Sequence, residues 1–395
     1  MRPWPLALLG VAVLLVVGSH DVWWSDFGTE ALPAFEALAR GDWSAFVAKS
    51  PGYAGAMVLR APFAGPAGWL GGGATALYLA GAVPCALALA ALGAMLGCEA
   101  RAAGGSRLAW PLVVGLSAAS PVAGLALAWG HPEDLLAGAA AVGATLLARD
   151  GRVVLAGLAL GLAVAAKQWA VLAGLPVLLA APRGQVRLLG LAALVVALIH
   201  LPVVLTDPAG AVARQTAVAV TGQLFHPHQL FWPLGEPAGA AWVAAGHSDR
   251  LPPAWLVGLS HPLIVALSVP LCALWWWRGG PRRAPDDALL LLALLLLARC
   301  ALDPWNIGYY QLPFLLALLA WEVRRGRDLP VLALAATAAT WASFVLIDAR
   351  TGNGPFLAYV AWVVPLGAWM ASELYGVGAG ALSWRATGRR EATAR

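Results

Sequence analysis

The sequence predicts an all-α, polytopic integral membrane protein with about twelve transmembrane helices. Three observations carry this. Hydrophobic residues make up 61% of the 395 residues and charged ones 11%, where soluble domains carry roughly a quarter charged. The mean hydropathy is +0.75. Apolar runs can be drawn at 5–19, 70–97, 109–128, 132–148, 153–166, 169–181, 188–205, 254–277, 286–302, 308–323, 329–348 and 355–376. They form one membrane domain over 1–380, and a basic tail follows at 381–395.

The first run, Pro5–Ser19, has the length of a signal-peptide core, but no small-x-small cleavage site follows, so an uncleaved helix is expected. The stretch 153–181 is either one tilted helix or two short ones. A break at Lys167-Gln168 is preferred because the basic turns on both flanks then share a side. With the N-terminus inside, 17 of the 25 Lys and Arg residues face the cytoplasm; the other eight are Arg40, Lys49, Arg60, Lys167, Arg214, Arg250, Arg299 and Arg350. This positive-inside bias puts both termini in the cytoplasm. The near absence of lysine and the Arg, Ala and Gly bias suggest a GC-rich bacterial genome, and the expected location of the spans is the bacterial plasma membrane. The net charge of +5 gives no case for nucleic acid, because the basic residues sit in short gaps between apolar runs. Cys85, Cys98, Cys272 and Cys300 lack metal-ligand spacing and read as small core residues, not disulfides.

Two external segments are long, 20–68 and 206–253. Long connections in compact proteins are usually functional or disordered, and the Trp, Phe and Pro content here argues for order. In the first, Glu30–Arg40 places Leu32, Phe35, Leu38 and Ala39 on one face, and Gly41 is placed to end a helix. That helix is expected to lie along the membrane interface.

Ionisable residues close to hydrocarbon usually line a site or a pathway. Asp26 follows the first run, with Asp21 and Glu30 nearby; it is a candidate general base towards a hydroxyl, or a capping or solvated carboxylate. His131, Glu133 and Asp134 occupy the tight turn before the fourth run, with Pro132 expected at its first helical position. The two carboxylates there complement the helix dipole, which leaves the histidine unexplained. As a metal signal the cluster is weak, and no metal or cofactor is expected. Lys167, in a chain that otherwise uses arginine, either meets a phosphate or snorkels to the interface. Arg299 either holds an anionic head group or pairs with Asp303, while Tyr309 and Tyr310 stand at the interface. His226 and His228, among Phe225, Phe231 and Trp232, either line a sugar site or anchor the loop. There is no Walker A loop, no Gly-x-Ser-x-Gly elbow and no His-Glu-x-x-His motif, so soluble nucleotide chemistry has no visible place.

Ser25-Asp26-Phe27, leading through Ala37-Leu38-Ala39-Arg40-Gly41-Asp42-Trp43 to Leu59-Arg60-Ala61-Pro62-Phe63, resembles the first loop of the GT-C class of membrane glycosyltransferases. The nearest likeness is to the bacterial polyprenol-phosphate-mannose-dependent α-mannosyltransferases of family 87. Gly130-His131-Pro132-Glu133-Asp134, the stretch from Arg149 to Gln168, and Tyr309-Tyr310-Gln311-Leu312-Pro313 are similar to later blocks. The Tyr-Pro-Pro-like block of that family reads here as Ser50-Pro51-Gly52-Tyr53-Ala54.

The resemblance implies an inverting transfer of a hexose, mannose first, from a polyprenyl-phosphate-linked donor to a lipid or glycan acceptor hydroxyl outside the cytoplasm. It implies Asp26 as base, Lys167 or Arg299 at the donor phosphate, and His131, Glu133, Asp134, His226, His228, Tyr309 and Tyr310 lining the substrates. The competing reading is a transporter or lipid flippase that uses Glu133, Asp134 and Lys167 along an intramembrane path. No inverted repeat is evident in the hydropathy pattern to support it. A scaffold with a degenerate site is the third reading.

Overall fold

The computed structural model describes residues 2–20, 25–218, 224–279, 285–347 and 353–376. Asp21, Arg282, Arg283 and the basic tail 381–395 lie outside the described residues. The architecture is all-α. Five helical segments are long and apolar enough to cross a membrane: Ala74–Ala102, Ala109–Ala128, Gln185–Thr206, Ala254–Trp277 and Gly354–Tyr375. Shorter apolar helices span Pro3–Gly18, Val153–Ala166, Gln168–Ala180 and Val331–Leu346.

Helix α1 (Pro3–Gly18) packs on the long α5 (Ala74–Ala102). Between them the sequence reading draws one interfacial helix, whereas the structure holds three. A π turn, Phe27–Ala31, runs into α2 (Leu32–Ala39); α3 (Trp43–Lys49) and α4 (Ala54–Trp69) follow. Gly41 does end α2, at φ 76°. Helix α4 was missed because Gly, Pro and Ala break up its apolar pattern, with Pro62 and Pro66 inside it. It is no surface loop: Ala54, Ala56, Met57, Arg60 and Ala64 are all buried.

The run 109–128 divides at Ala119-Ser120 into α6 (Ala109–Ala118) and α7 (Pro121–Ala128), since Pro121 opens the second piece. Helix α8 (Glu133–Arg149) is buried over most of its length. Pro132 is its N-cap, so Glu133, not the proline, takes the first helical position. Helix α9 (Val153–Ala166) ends at Lys167, whose backbone is extended at φ −147°, ψ 131°. A 3₁₀ turn, Gln168–Ala173, and α10 (Gly174–Ala180) complete the two-piece arrangement expected there.

Helices α11 (Gln185–Thr206) and α12 (Pro208–Val218) follow. The second long segment carries α13 (Ala240–Ala244) and a two-stranded ribbon, β1 (Glu236–Pro237) pairing antiparallel with β2 (Arg250–Leu251). Then come α14 (Ala254–Trp277), α15 (Asp287–Leu302), α16 (Leu312–Arg324), α17 (Val331–Trp341) and α18 (Gly354–Tyr375).

Helices α8, α15 and α16 form the core. They are apolar on every side and buried on nearly every side, as a helix enclosed by other helices must be. Helices α11, α14 and α18 instead leave most of their apolar surface open, with under a third of each span buried; that is the face a bilayer covers. One end of the molecule collects paired charges. Arg149 meets Asp150 at 2.7 Å and Asp286 at 2.8 Å, and Arg324 meets Glu99 at 3.3 Å and Asp150 at 2.8 Å. Asp26 and His131 lie at the opposite end of α8, about 26 Å away at the helical rise per residue. All four cysteines are free; Cys85, Cys272 and Cys300 are buried as expected, but Cys98 is exposed.

Candidate active site

Three interruptions in helical structure build the site. The first is the π turn after Asp26, the second the turn Trp129–Pro132, and the third the extended break at Lys167. The first two are joined through the backbone, where the Asp26 N–H donates to the Trp129 carbonyl at 3.1 Å. Gly130 makes that approach possible. Its φ is 87°, and a Cβ there would lie 2.5 Å from the Phe27 nitrogen and 2.9 Å from the Ser25 hydroxyl. Gly55 does similar work for α4. A Cβ there would sit 2.1 Å from the Ala165 carbonyl oxygen, so α4 lies hard against the end of α9 beside the Lys167 break.

Side chains from these elements form one continuous polar chain. His131 Nε2 is 3.0 Å from Asp26 Oδ2, and His131 Nδ1 is 2.9 Å from Glu133 Oε1. Glu133 Oε1 also meets Lys167 Nζ at 3.1 Å, and its Oε2 accepts from Arg60 Nη1 at 3.0 Å. Lys167 Nζ stands 3.2 Å from Asp134 Oδ2, and the Trp169 indole donates to Asp134 Oδ1 at 3.0 Å. Aromatic rings wall this chain. Lys167 lies over Tyr53 at 4.3 Å, Tyr309 stacks on His131 at 5.3 Å, and Arg60 lies over Phe35 at 5.2 Å. The Tyr53 hydroxyl donates to Glu30 at 2.8 Å.

Exposure falls steeply along the chain. The Asp26 side chain is 33% exposed, His131 7% and Glu133 0%. A buried unpaired charge costs several kcal/mol, and here each buried charge meets an opposite one. Asp26, Glu133 and Asp134 are matched by Lys167, Arg60 and a protonated His131.

Both His131 nitrogens face carboxylates, which only the imidazolium satisfies. Burial and the Lys167 charge push the His131 pKa down, but hydrogen bonds to Asp26 and Glu133 outweigh them and raise it from 6.5 to about 9. The stabilisation from this pairing is therefore complete below about pH 6.5 and lost as pH rises through about 9. Melting curves across that range should fall for the wild type and flatten for His131→Gln; parallel curves would remove the imidazolium from the account.

His131, Glu133 and Asp134 bring ligand atoms within 4.8 Å of one another. Lys167 already supplies the cation between the two carboxylates, and both His131 nitrogens are engaged, so these residues read as an ion-pair network rather than a metal centre.

The structure gathers Asp26, His131, Glu133, Asp134, Lys167 and Tyr309 in one place. Arg299 and Tyr310 adjoin it: the Arg299 guanidinium lies 4.3 Å over Tyr310 and 5.4 Å over Trp169, with Asp303 only loosely paired at 3.9 Å. His228 falls elsewhere, while the His226 backbone N–H donates to the Pro304 carbonyl at 2.8 Å, next to the Asp303 that faces Arg299. His228 is buried, stacks on Phe344 at 3.9 Å, and its Nε2–H donates to the Ser343 carbonyl at 2.8 Å. Burial pushes His226 and His228 each down to about 4, which keeps both neutral. His228 thus ties the second long segment to the chain beyond α17, and the Leu230 N–H ties it to α15 by donating to the Ala301 carbonyl at 2.8 Å.

Sequence reasoning passed over Arg60, Tyr53 and Trp169 as site residues. Arg60 had a readable signal, a lone arginine inside Ala54–Phe63. Comparison with family models, with curated proteins and with solved structures finds no match for this chain.

Proposed function

We propose that the chain is a membrane glycosyltransferase. It moves a hexose, mannose first, from a polyprenyl-phosphate donor to a hydroxyl of a cell-envelope glycolipid or glycan. The observation that carries this reading is the exposure gradient: a carboxylate at the water-facing end of a buried, fully paired polar chain. His131 holds Asp26 Oδ2. Among the described residues Oδ1 has no partner, which leaves it for an incoming hydroxyl.

In the proposed step the acceptor oxygen attacks the anomeric carbon as Asp26 takes its proton. The bond from that carbon to the phosphate oxygen breaks, polyprenyl phosphate leaves with the electron pair, and the anomeric configuration inverts. Such a leaving group needs a fixed cation. Arg299 suits this better than Lys167, because its one carboxylate is loosely held while Lys167 is clamped by two.

The same reading takes twelve crossings: the five long and four shorter apolar helices, together with the buried α8, α15 and α16. It places both termini on the arginine-rich, cytoplasmic face of a bacterial plasma membrane, with Asp26 outside. The opposed ends of α8 support that orientation, since the Arg149 and Arg324 network sits at one and Asp26 at the other.

One observation favours the transport reading: the helix broken at Lys167 places three ionisable side chains at the break, as discontinuous transporter helices do. Vesicles holding the protein, a polyprenyl-phosphate hexose and a glycan acceptor separate the two. Transfer makes a new glycosidic bond, whereas transport moves label across the bilayer and makes none. At limiting donor, Arg299→Ala should lower turnover about 10²-fold. Unchanged turnover in both Arg299→Ala and Lys167→Ala would remove the phosphate assignment.

A further inference from the structure

At the end of the molecule opposite Asp26, two turns lie side by side around an open surface cavity of about 490 Å³, lined by Arg152, Arg183, Arg187, Val153 and the backbone of Gly151 and Gly184. Its position is built by close helix packing. A Cβ on Gly157 or Gly161 would fall 2.7 Å from a carbonyl oxygen of α11, so α9 and α11 touch along their backbones and their first turns emerge together. Gly184 closes the floor at φ 76°, where a Cβ would press on Val153 at 3.2 Å. Gln185 ties this corner down by donating to the Leu178 carbonyl at 3.0 Å.

The electrostatics of this corner are unfavourable as they stand. Arg152 is the N-cap of α9, and Arg187 sits in the first turn of α11. Helix N-termini carry partial positive charge and favour anions, yet neither first turn holds an acidic residue. Among the described residues, no carboxylate pairs with Arg152, Arg183 or Arg187. The nearest one in sequence, Asp150, is taken by Arg149 and Arg324. Three guanidinium groups and two helix N-termini therefore converge without a counter-charge.

What borders the cavity is apolar and open. Val186 is 87% exposed and Leu189 53%, both on the α11 surface read as facing lipid, and Leu158 on the neighbouring α9 is 40% exposed. A ligand that fits has an anionic head and long apolar tails. We propose that this cavity binds the headgroup of an anionic phospholipid, with its acyl chains lying along α9 and α11. The inference rests on the membrane character of the chain and not on the transfer chemistry, so either can fail without the other.

The test is native mass spectrometry of the full chain released from nanodiscs of phosphatidylcholine doped with phosphatidylglycerol or cardiolipin. The wild type should retain the anionic lipid selectively. At about fivefold per arginine near a membrane surface, R152Q/R183Q/R187Q should retain it on the order of a hundredfold less well. All three side chains are exposed, so the triple variant should keep its melting temperature in pure phosphatidylcholine. If it does not fold, Arg187→Gln alone should still show the fivefold loss. Equal retention by wild type and variants would overturn the proposal, as would no preference for anionic over zwitterionic lipid. Stabilisation by inorganic phosphate equal to that by lipid would overturn it too, by making this a site for free anions.

Discussion

Glu133→Gln is expected to cost about 3–5 kcal/mol of stability, the range for removing one partner of a buried ion pair. Glu133 is fully buried and joins three cations: His131 and Lys167 on one oxygen, Arg60 on the other. Glutamine keeps the shape but supplies one acceptor, and turns an amide of two donors towards groups that only donate. Arg60 suffers most. It is 1% exposed, its Nε and Nη2 already lack hydrogen-bond partners, and its other neighbours include the Phe27 and Phe35 rings. Without Glu133 it holds a charge in an apolar interior. Unfolding by dodecyl sulfate in mixed micelles measures the loss. Removing both charges, as in Glu133→Gln with Arg60→Met, should restore part of it, because the cost lies in the orphaned charge rather than the missing bond. A Glu133→Gln protein within about 0.5 kcal/mol of the wild type, the size of an ordinary surface substitution, would mean that this network does not hold the fold together.

The network also shows where reading the sequence stops. Apolar runs and basic turns placed most of the helices, because hydrophobic patterning is a local property. The break at Lys167-Gln168 was legible for the same reason, as basic turns on both flanks favour two short pieces over one. Helix α4 was not, since its glycines and prolines look like a loop until α2, α5 and the end of α9 enclose them. The division of 109–128 at Ala119-Ser120 left no mark in hydropathy, although Pro121 was in view.

Within the site, the sequence made Asp26, His131, Glu133, Asp134 and Lys167 suspects one at a time, each as a charge close to hydrocarbon. It could not show that His131 joins Asp26 to Glu133, because that contact closes over 105 residues and depends on Gly130 letting the Phe27 backbone pass. Helix-dipole pairing was a sound reading of Glu133 and Asp134, but it left His131 unexplained; the structure gives it a partner on each nitrogen. His228 misleads in the opposite way. Histidines among aromatic residues look the same in sequence whether the rings stack on a sugar or on each other, and here His228 stacks on Phe344.

The largest functional effect is expected at Asp26. It is the exposed end of the chain, and one oxygen is already held by His131. A positioned base contributes about 10²–10⁴-fold. Asp26→Asn keeps the size of the side chain and can still accept from His131, so fold and donor binding should survive while the basicity is gone. The decisive measurement is single-turnover sugar transfer by Asp26→Asn in vesicles, with saturating polyprenyl-phosphate hexose and donor binding measured on the same sample. The account predicts wild-type donor binding and a transfer rate lower by about 10²–10⁴-fold. Normal donor binding with a transfer rate near that of the wild type would contradict it.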